Sequence, residues 1–230
     1  MIHIFYTYTS EENHNALLRK YLPVLPQSYR EKILRFRNWK DAQLSLLGRL
    51  LLEHGIKTKF PQYADMLEIA YTQFRKPYFK DHDLKFNISH SKDMAICVLS
   101  DGADMGVDIE EIAPVNINDF KDYMTPFEWQ EVINSSKKED AFYKYWTKKE
   151  AVIKADGRGL SIPLKSFEIK KETTQIENNS YVLKEILLDM NYACYVALKK
   201  NTSQQDNLTF DEKVQLKEVC IAPEASMALV

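Results

Sequence analysis

The order of segments along the chain constrains its fold more than any single motif does. "IHIFYTY" at residues 2–8 alternates apolar and polar or aromatic side chains, the period of a half-buried strand. Residues 11–22 and 28–36 carry helical spacing and are separated by Pro23 and Pro26. From Asn38 to His54 leucines recur at helical intervals, which predicts a long amphipathic helix with Gly55 as its left-handed stop. "KFNIS" and "MAICVLS" then read as strands flanking a loop at Ser89–Asp93. Asp101-Gly102 is a hairpin signal, and "MGVDIE" is the strand to follow it. A second helical group begins near Asn116, and Thr125, Pro126 and Glu128 form the start of a helix with a capping box. Residues 139–155 predict another helix, ended by Gly157 and Gly159. "SFEIKK", "YVLKEILL", "YACYVAL" and "KVQLKEVCI" predict strands. Strand, helices, strands therefore occur twice in about the same length. This order predicts an α+β protein of two similar-sized halves joined near residues 101–104, although no residue-level repeat is visible.

Composition narrows the function classes. A net charge of -2 over 230 residues gives no global case for nucleic-acid or membrane binding. Between Arg19 and Lys40, however, seven basic residues face a single acid, Glu31, which reads either as a solvated face or as a patch for a phosphate or an acidic partner. Cys97, Cys194 and Cys220 are widely spaced, so neither a disulfide framework nor a zinc site is expected. The N-terminus has no basic region ahead of a long apolar core, so no signal peptide is expected, and no stretch approaches the ~18 apolar residues of a membrane span. A cytoplasmic protein is the default.

Three short stretches could carry chemistry. In "GVDIE" a strand would turn Asp108 and Glu110 to one face and Val107 and Ile109 to the other. Two carboxylates on one face suit a hard cation such as Mg²⁺, or simply a wet edge. In "WTKKEAVIKADGRGL" Glu150 and Lys154 stand one helical turn apart, which fits a surface salt bridge as readily as a catalytic pair. "FNISHS" offers the hydroxyls of Ser89 and Ser91 and the His90 imidazole, and "RKPYF" holds Lys76 extended before Pro77.

A basic N-terminal segment with "LLGRLLL", then "RKPYF", "FNISHS", "GVDIE", "FEW" and W-x-K-K-E-x-x-x-K-x-x-G-x-G-L occur in that order. In this combination the chain resembles the 4′-phosphopantetheinyl transferase superfamily in its two-lobed, Sfp-type form, from about residue 30 to residue 163. The resemblance implies two pseudo-symmetric lobes, each with helices on a small, mainly antiparallel sheet: residues 1–103 with coenzyme A phosphate contacts, and 104–230 with a metal site and the catalytic helix. Residues 201–207 and 222–230 are expected to be mobile. It implies Mg²⁺-dependent transfer, with Mn²⁺ as a substitute, of the phosphopantetheine arm of coenzyme A to a serine of an apo acyl, peptidyl or aryl carrier protein, releasing 3′,5′-ADP. By similarity Asp108, Glu110 and Glu150 would hold the metal, Glu150 would act as base, and Lys154 would stabilise the leaving group. Coenzyme A would meet Lys32, Ser45, Arg49, Lys76, Pro77, Ser89, His90, Lys149 and Lys154. Tyr29 stands where some relatives have a second lysine. The carrier would dock on residues 112–135, whose apolar members are Ile117, Phe120, Tyr123, Met124 and Phe127. A monomer that binds neither nucleic acid nor membrane is expected. Two other readings stay open: a coenzyme A or carrier-binding homologue without turnover, and a metal-dependent nuclease.

Overall fold

The computed structural model describes residues 1–64, 68–200 and 214–222. The chain forms β1 (Ile2–Tyr8), α1 (His14–Tyr21), α2 (Gln27–Leu34), α3 (Trp39–Lys59), β2 (Ile69–Tyr71), β3 (Pro77–Phe79), β4 (Leu84–Ser91), β5 (Met94–Asp101) and β6 (Met105–Glu111). Next come α4 (Pro126–Asn134), α5 (Lys138–Asp156), β7 (Thr173–Ile176), β8 (Asn179–Glu185), β9 (Tyr192–Lys199) and β10 (Val214–Glu218). One four-stranded sheet runs β10-β1-β5-β4, a second runs β6-β9-β8-β7, and β2 and β3 form a small hairpin. All pairings are antiparallel except that of β10 with β1.

Strand alternation sorts the side chains into layers. In the first sheet Phe5, Cys97 and Leu99 pack against the leucines of α3. Ile4, Ile96 and Val98 face the other way, onto Val107, Ile109, Cys194 and Val196 of the second sheet. The opposite face of that sheet, including Tyr195 and Ala197, meets Ala151, Val152 and Ala155 of α5. The order of layers is therefore helices, sheet, sheet, helix. Among the described residues no helix is long and apolar enough to cross a membrane.

Several expectations change. Gly55 does not stop its helix: α3 continues to Lys59, and a Cβ on Gly55 would come within 2.2 Å of Leu99. That glycine serves close packing of α3 on the sheet. The expected loop at Ser89–Asp93 is strand as far as Ser91, and the reversal takes only Lys92 and Asp93, with Lys92 at φ 53°. Asp101-Gly102 makes no hairpin, because β5 and β6 belong to different sheets and the turn carries the chain between them. "SFEIKK" contributes only a bridge at Lys170, and the strand is Thr173–Ile176. The "KVQLKEVCI" strand, expected within residues 104–230 as part of the second lobe, instead borders the first sheet, and Val219 and Ile221 enter the core beneath α3. Residues 201–207 and 223–230 lie outside the described residues, whereas Ala222 accepts a hydrogen bond from the Tyr21 hydroxyl at 3.5 Å.

The contact that positions the rest is that of α5 on β6. Gly106 and its register partner Ala197 present almost no side chain to the helix, and the helix answers with Ala151 and Ala155. A Cβ on Gly106 would lie 2.2 Å from Ala151 O and 2.3 Å from Ala155 N, both backbone atoms that cannot step aside. Gly106→Ala should therefore destabilise the chain by about 1–3 kcal/mol, as overpacking does. A urea midpoint lowered at unchanged slope would show it; an unchanged midpoint would mean that α5 can slide.

Candidate active site

The same local rules that build α5 and β4 aim their polar groups at β6. Thr125 caps α4, accepting from the Glu128 amide, while Glu128 accepts from the Thr125 amide at 2.9 Å, as the capping box predicts. α5 ends at Gly157, whose φ of 93° is the left-handed stop expected from the sequence. On β6, Val107 and Ile109 are buried between the sheets while Asp108 and Glu110 take the α5 side.

β4 and β6 lie side by side at the edges of their sheets and are joined by side chains instead of a ladder. Asn87 Oδ1 accepts from the Val107 amide at 2.9 Å, and Ser91 Oγ accepts from the Glu111 amide at 3.1 Å. Ser89 Oγ donates to Asp108 Oδ1 at 2.9 Å, and Ser91 Oγ donates to Glu110 Oε2 at 2.9 Å. Lys154 Nζ reaches across from α5 and donates to Asp108 Oδ1 at 2.5 Å and to Ser89 Oγ at 2.9 Å. Asp108 is buried, and its second oxygen, Oδ2, has no hydrogen-bond partner. Glu150, one turn before Lys154, lines the same cleft, together with Trp146 and His90.

Electrostatics marks this cleft as short of positive charge. Burial, then the neighbouring Asp108 charge, pushes the Glu110 carboxyl up to about 7. The same two causes raise Glu150, against the opposing ammonium of Lys154. His90 is held below the usual imidazole value by desolvation and then by Lys154. Among the described residues no three His, Cys, Asp or Glu side chains already stand at metal-ligand spacing. The donor chemistry nonetheless fits a hard cation that keeps water and substrate oxygens as part of its shell: three carboxylates on one cleft, one buried oxygen unpartnered.

A larger cleft of about 740 Å³ adjoins it, and Ile88 and His90 line both. It brings together Lys32, Ser45, Arg49, Pro77 and His90 of the sequence-predicted set. Tyr29 lies between its cations: its hydroxyl donates to Ser45 O at 2.9 Å, with Lys32 Nζ 5.2 Å and Arg49 Cζ 5.9 Å from the ring centre. Arg49 also pairs with Glu53 at 2.9 Å. Tyr71 and Arg75 of the β2–β3 hairpin, which sequence reasoning did not single out, line the wall. Their signal was the arginine that opens "RKPYF" and the tyrosine four residues before it.

Two expected members stand elsewhere. Lys149 is buried on the far side of α5, where its Nζ pairs with Glu128 at 2.9 Å and donates to Leu164 O and Phe167 O. It cannot reach either cleft, because neighbouring helical residues point about 100° apart. Lys76 turns away from the larger cleft and donates to Ala155 O at 3.0 Å. Ser89, expected as a coenzyme A contact, is buried and occupied by Asp108 and Lys154. Asn87 and Gly106 were missed as members of the site, and Ser91, whose hydroxyl the sequence offered to a phosphate, is held by Glu110 and the Glu111 amide instead. Reading residues 86–91 with period 2 would have placed Asn87, Ser89 and Ser91 on one face and Phe86, Ile88 and His90 on the other.

Two consequences can be measured. Lys149→Met leaves the buried Glu128 unpaired and should cost about 3–5 kcal/mol, a loss of fold and not a change in ligand affinity. A stable Lys149→Met chain with weakened phosphate binding would return Lys149 to the site. For Glu110 the folded pKa lies above its ordinary 4.5, so folding takes up a proton between 4.5 and about 7. Stability from this group is present below the ordinary pKa and lost as pH rises through 7. In metal-free buffer, thermal scans should therefore show Glu110→Gln gaining on the natural chain from about pH 5 to about pH 8. A pH-independent difference would contradict the burial of that carboxylate.

Comparison with known proteins bears on both halves. A family model described as "4'-phosphopantetheinyl transferase superfamily" matches residues 104–204, and one described as "4'-phosphopantetheinyl transferase, N-terminal" matches residues 12–101. The chain is 32% identical over 165 residues to 4'-phosphopantetheinyl transferase Sfp of Bacillus subtilis, covering 70% of this chain and 71% of that protein. With 4'-phosphopantetheinyl transferase gsp of Aneurinibacillus migulanus it shares 34% identity over 63% of this chain and 61% of the relative. With L-aminoadipate-semialdehyde dehydrogenase-phosphopantetheinyl transferase of Mus musculus it shares 27% identity over 82% and 72%.

Proposed function

The chain belongs to the 4′-phosphopantetheinyl transferase superfamily and is a transferase, and we propose that it moves the 4′-phosphopantetheine arm of coenzyme A onto a serine of an apo acyl, peptidyl or aryl carrier protein. The observation that carries this reading is the junction of two unlike clefts at His90: one lined by Lys32, Arg49 and Arg75, the other by Asp108, Glu110 and Glu150. A coenzyme A molecule has matching parts. Its nucleotide phosphate suits the cations and the aromatic walls of the larger cleft, and its pyrophosphate would then reach the carboxylates and Lys154 of the smaller one.

In the reaction the carrier serine oxygen attacks the phosphorus that bears the pantetheine arm. A new serine O–P bond forms as the bond to the other phosphate breaks, and 3′,5′-ADP leaves. Glu150 takes the serine proton, directly or through a water, from a cleft in which burial and the Asp108 charge raise its carboxyl pKa. Lys154 donates to the departing phosphate oxygen from an ammonium already fixed by Ser89 and Asp108. Asp108, Glu110 and Glu150 would hold Mg²⁺, which when bound supplies charge neutralisation at the pyrophosphate. Ser91 orients Glu110 by its 2.9 Å hydrogen bond. The carrier would meet Tyr123 and Phe127, the exposed large apolar side chains of the 112–135 stretch, flanked by Lys121 and by Lys170, whose Nζ lies 5.4 Å from the Phe127 ring centre. Ile117, Phe120 and Met124 pack inward instead. A cytoplasmic monomer fits this reading.

Intact mass after incubation with coenzyme A, Mg²⁺ and a panel of apo-carriers tests it. A phosphopantetheine-sized gain on at least one carrier, abolished by EDTA and restored by Mg²⁺, is expected; no gain on any carrier would favour a binding protein without turnover. Glu150→Gln should keep the fold and coenzyme A binding while lowering transfer by about 10²–10⁴-fold. Undiminished transfer by that variant would remove Glu150 as the base.

A further inference from the structure

Lys76 sits in a hairpin that lines one cleft, yet its ammonium serves the helix of the other. The backbone is fixed at the β2–β3 turn: the Lys76 amide donates to Thr72 Oγ1 at 3.1 Å, and the Thr72 amide donates to Lys76 O at 3.0 Å. Arg75 before it has a φ of 64°, and Pro77 follows, so the direction in which Lys76 leaves the turn is set locally. Its Nζ then donates to Ala155 O at 3.0 Å and to Met105 O at 3.5 Å. Ala155 O is one of the last carbonyls of α5, which have no partner within the helix. A cation at that end is favourable in any case.

The two acceptors are not arbitrary. Ala155 follows Lys154, and Met105 precedes Gly106, the point where α5 comes closest to β6. One ammonium thus ties the end of the helix to the start of the strand, at the base of the Lys154–Asp108 contact. The stem fits because residue 157 is glycine: a Cβ there would lie 3.0 Å from Lys76 Cδ. Burial lowers the Lys76 pKa, while Asp104 and Asp156 nearby favour its charged form.

We propose that Lys76 is a positioning residue that holds the C-terminal turn of α5 against β6, and so fixes Lys154 relative to Asp108, while linking that turn to the hairpin wall of the larger cleft. This rests on the reading of Lys154 and of the larger cleft given above. Lys76 makes no phosphate contact of its own. Its effect belongs in turnover, not in coenzyme A affinity.

The test compares Lys76→Met in the natural chain and in a Lys154→Met background, using coenzyme A and whichever apo-carrier gains mass. In the natural background kcat should fall by about 10–10²-fold, the scale of an ångström-sized misplacement, with KM for coenzyme A within about twofold. In the Lys154→Met background the same change should cost little more, because the group being positioned is gone. A raised KM at unchanged kcat would make Lys76 a ligand contact and overturn the proposal. An equal loss in both backgrounds would make it a general structural residue and overturn it too. Lys76→Arg, which keeps the cation, should recover part of kcat. Amide exchange across residues 155–159 reads the tie without any turnover and should quicken in Lys76→Met; unchanged exchange there would refute the proposal even if no carrier is ever modified.

Discussion

The site depends on a seam. β4 and β6 are edge strands of different sheets, and edges normally leave unpaired amides that invite foreign strands. Here Asn87 and Ser91 supply side-chain oxygens where backbone carbonyls would have been, and the Ser89 hydroxyl donates across the seam to Asp108. The consequence is chemical as well as structural. A backbone ladder would have brought the two strands together without touching the β6 carboxylates, whereas serine hydroxyls donate to Asp108 and Glu110 while bracing the strands. Ser91 does both at once, accepting from the Glu111 amide and orienting the Glu110 carboxylate.

α5 completes the arrangement by packing on small residues. Gly106, Ala197, Ala151 and Ala155 let helix and sheet backbones approach closely, and a helix so near can extend Lys154 Nζ to Asp108 from within one turn of Glu150. The other face of α5 is anchored by a different ion pair, Lys149 with Glu128, which is buried with its hydrogen bonds satisfied. Glu128 is thereby bound to the cap of α4, to the Ile169 amide and to Lys149 at once. Lys149 and Glu150, adjacent in sequence, divide the labour of the helix: one fixes its rotation and the other faces the cleft.

Much of this was legible where the cause is local. The capping box at Thr125, the stop at Gly157 and the alternation that turns Asp108 and Glu110 to one face are decided within a few residues, and the structure has each of them. The failures share a cause as well. "SHS" at residues 89–91 reads as a loop because its polar residues normally mark solvent, and only a neighbouring edge strand makes Ser89 and Ser91 partners of Asp108 and Glu110. Gly55 reads as a stop because nothing local announces Phe5 and Leu99 pressing on it. "Asp-Gly" reads as a hairpin because the turn is local while the sheet that β6 joins is not. The family resemblance assigns Lys149 and Lys76 to coenzyme A, and the carbonyl and carboxylate partners that hold them elsewhere are not visible in sequence.

The remaining step concerns why a basic and an acidic cleft should meet. Alone, the acidic cleft is strained electrostatically: Asp108, Glu110 and Glu150 share one ammonium, and the carboxyl of Glu110 is pushed up to about 7. Alone, the larger cleft gathers Lys32, Arg49 and Arg75 around Tyr29 and Tyr71, with Glu68 as its acid. A ligand bearing phosphates at two separated points could relieve the second cleft directly. It would be repelled by the first unless a cation entered with it. The opposite signs therefore couple phosphate and cation binding, each made more favourable by the other. His90 stands on the boundary of the two clefts, its imidazole held below the usual value by desolvation and then by Lys154.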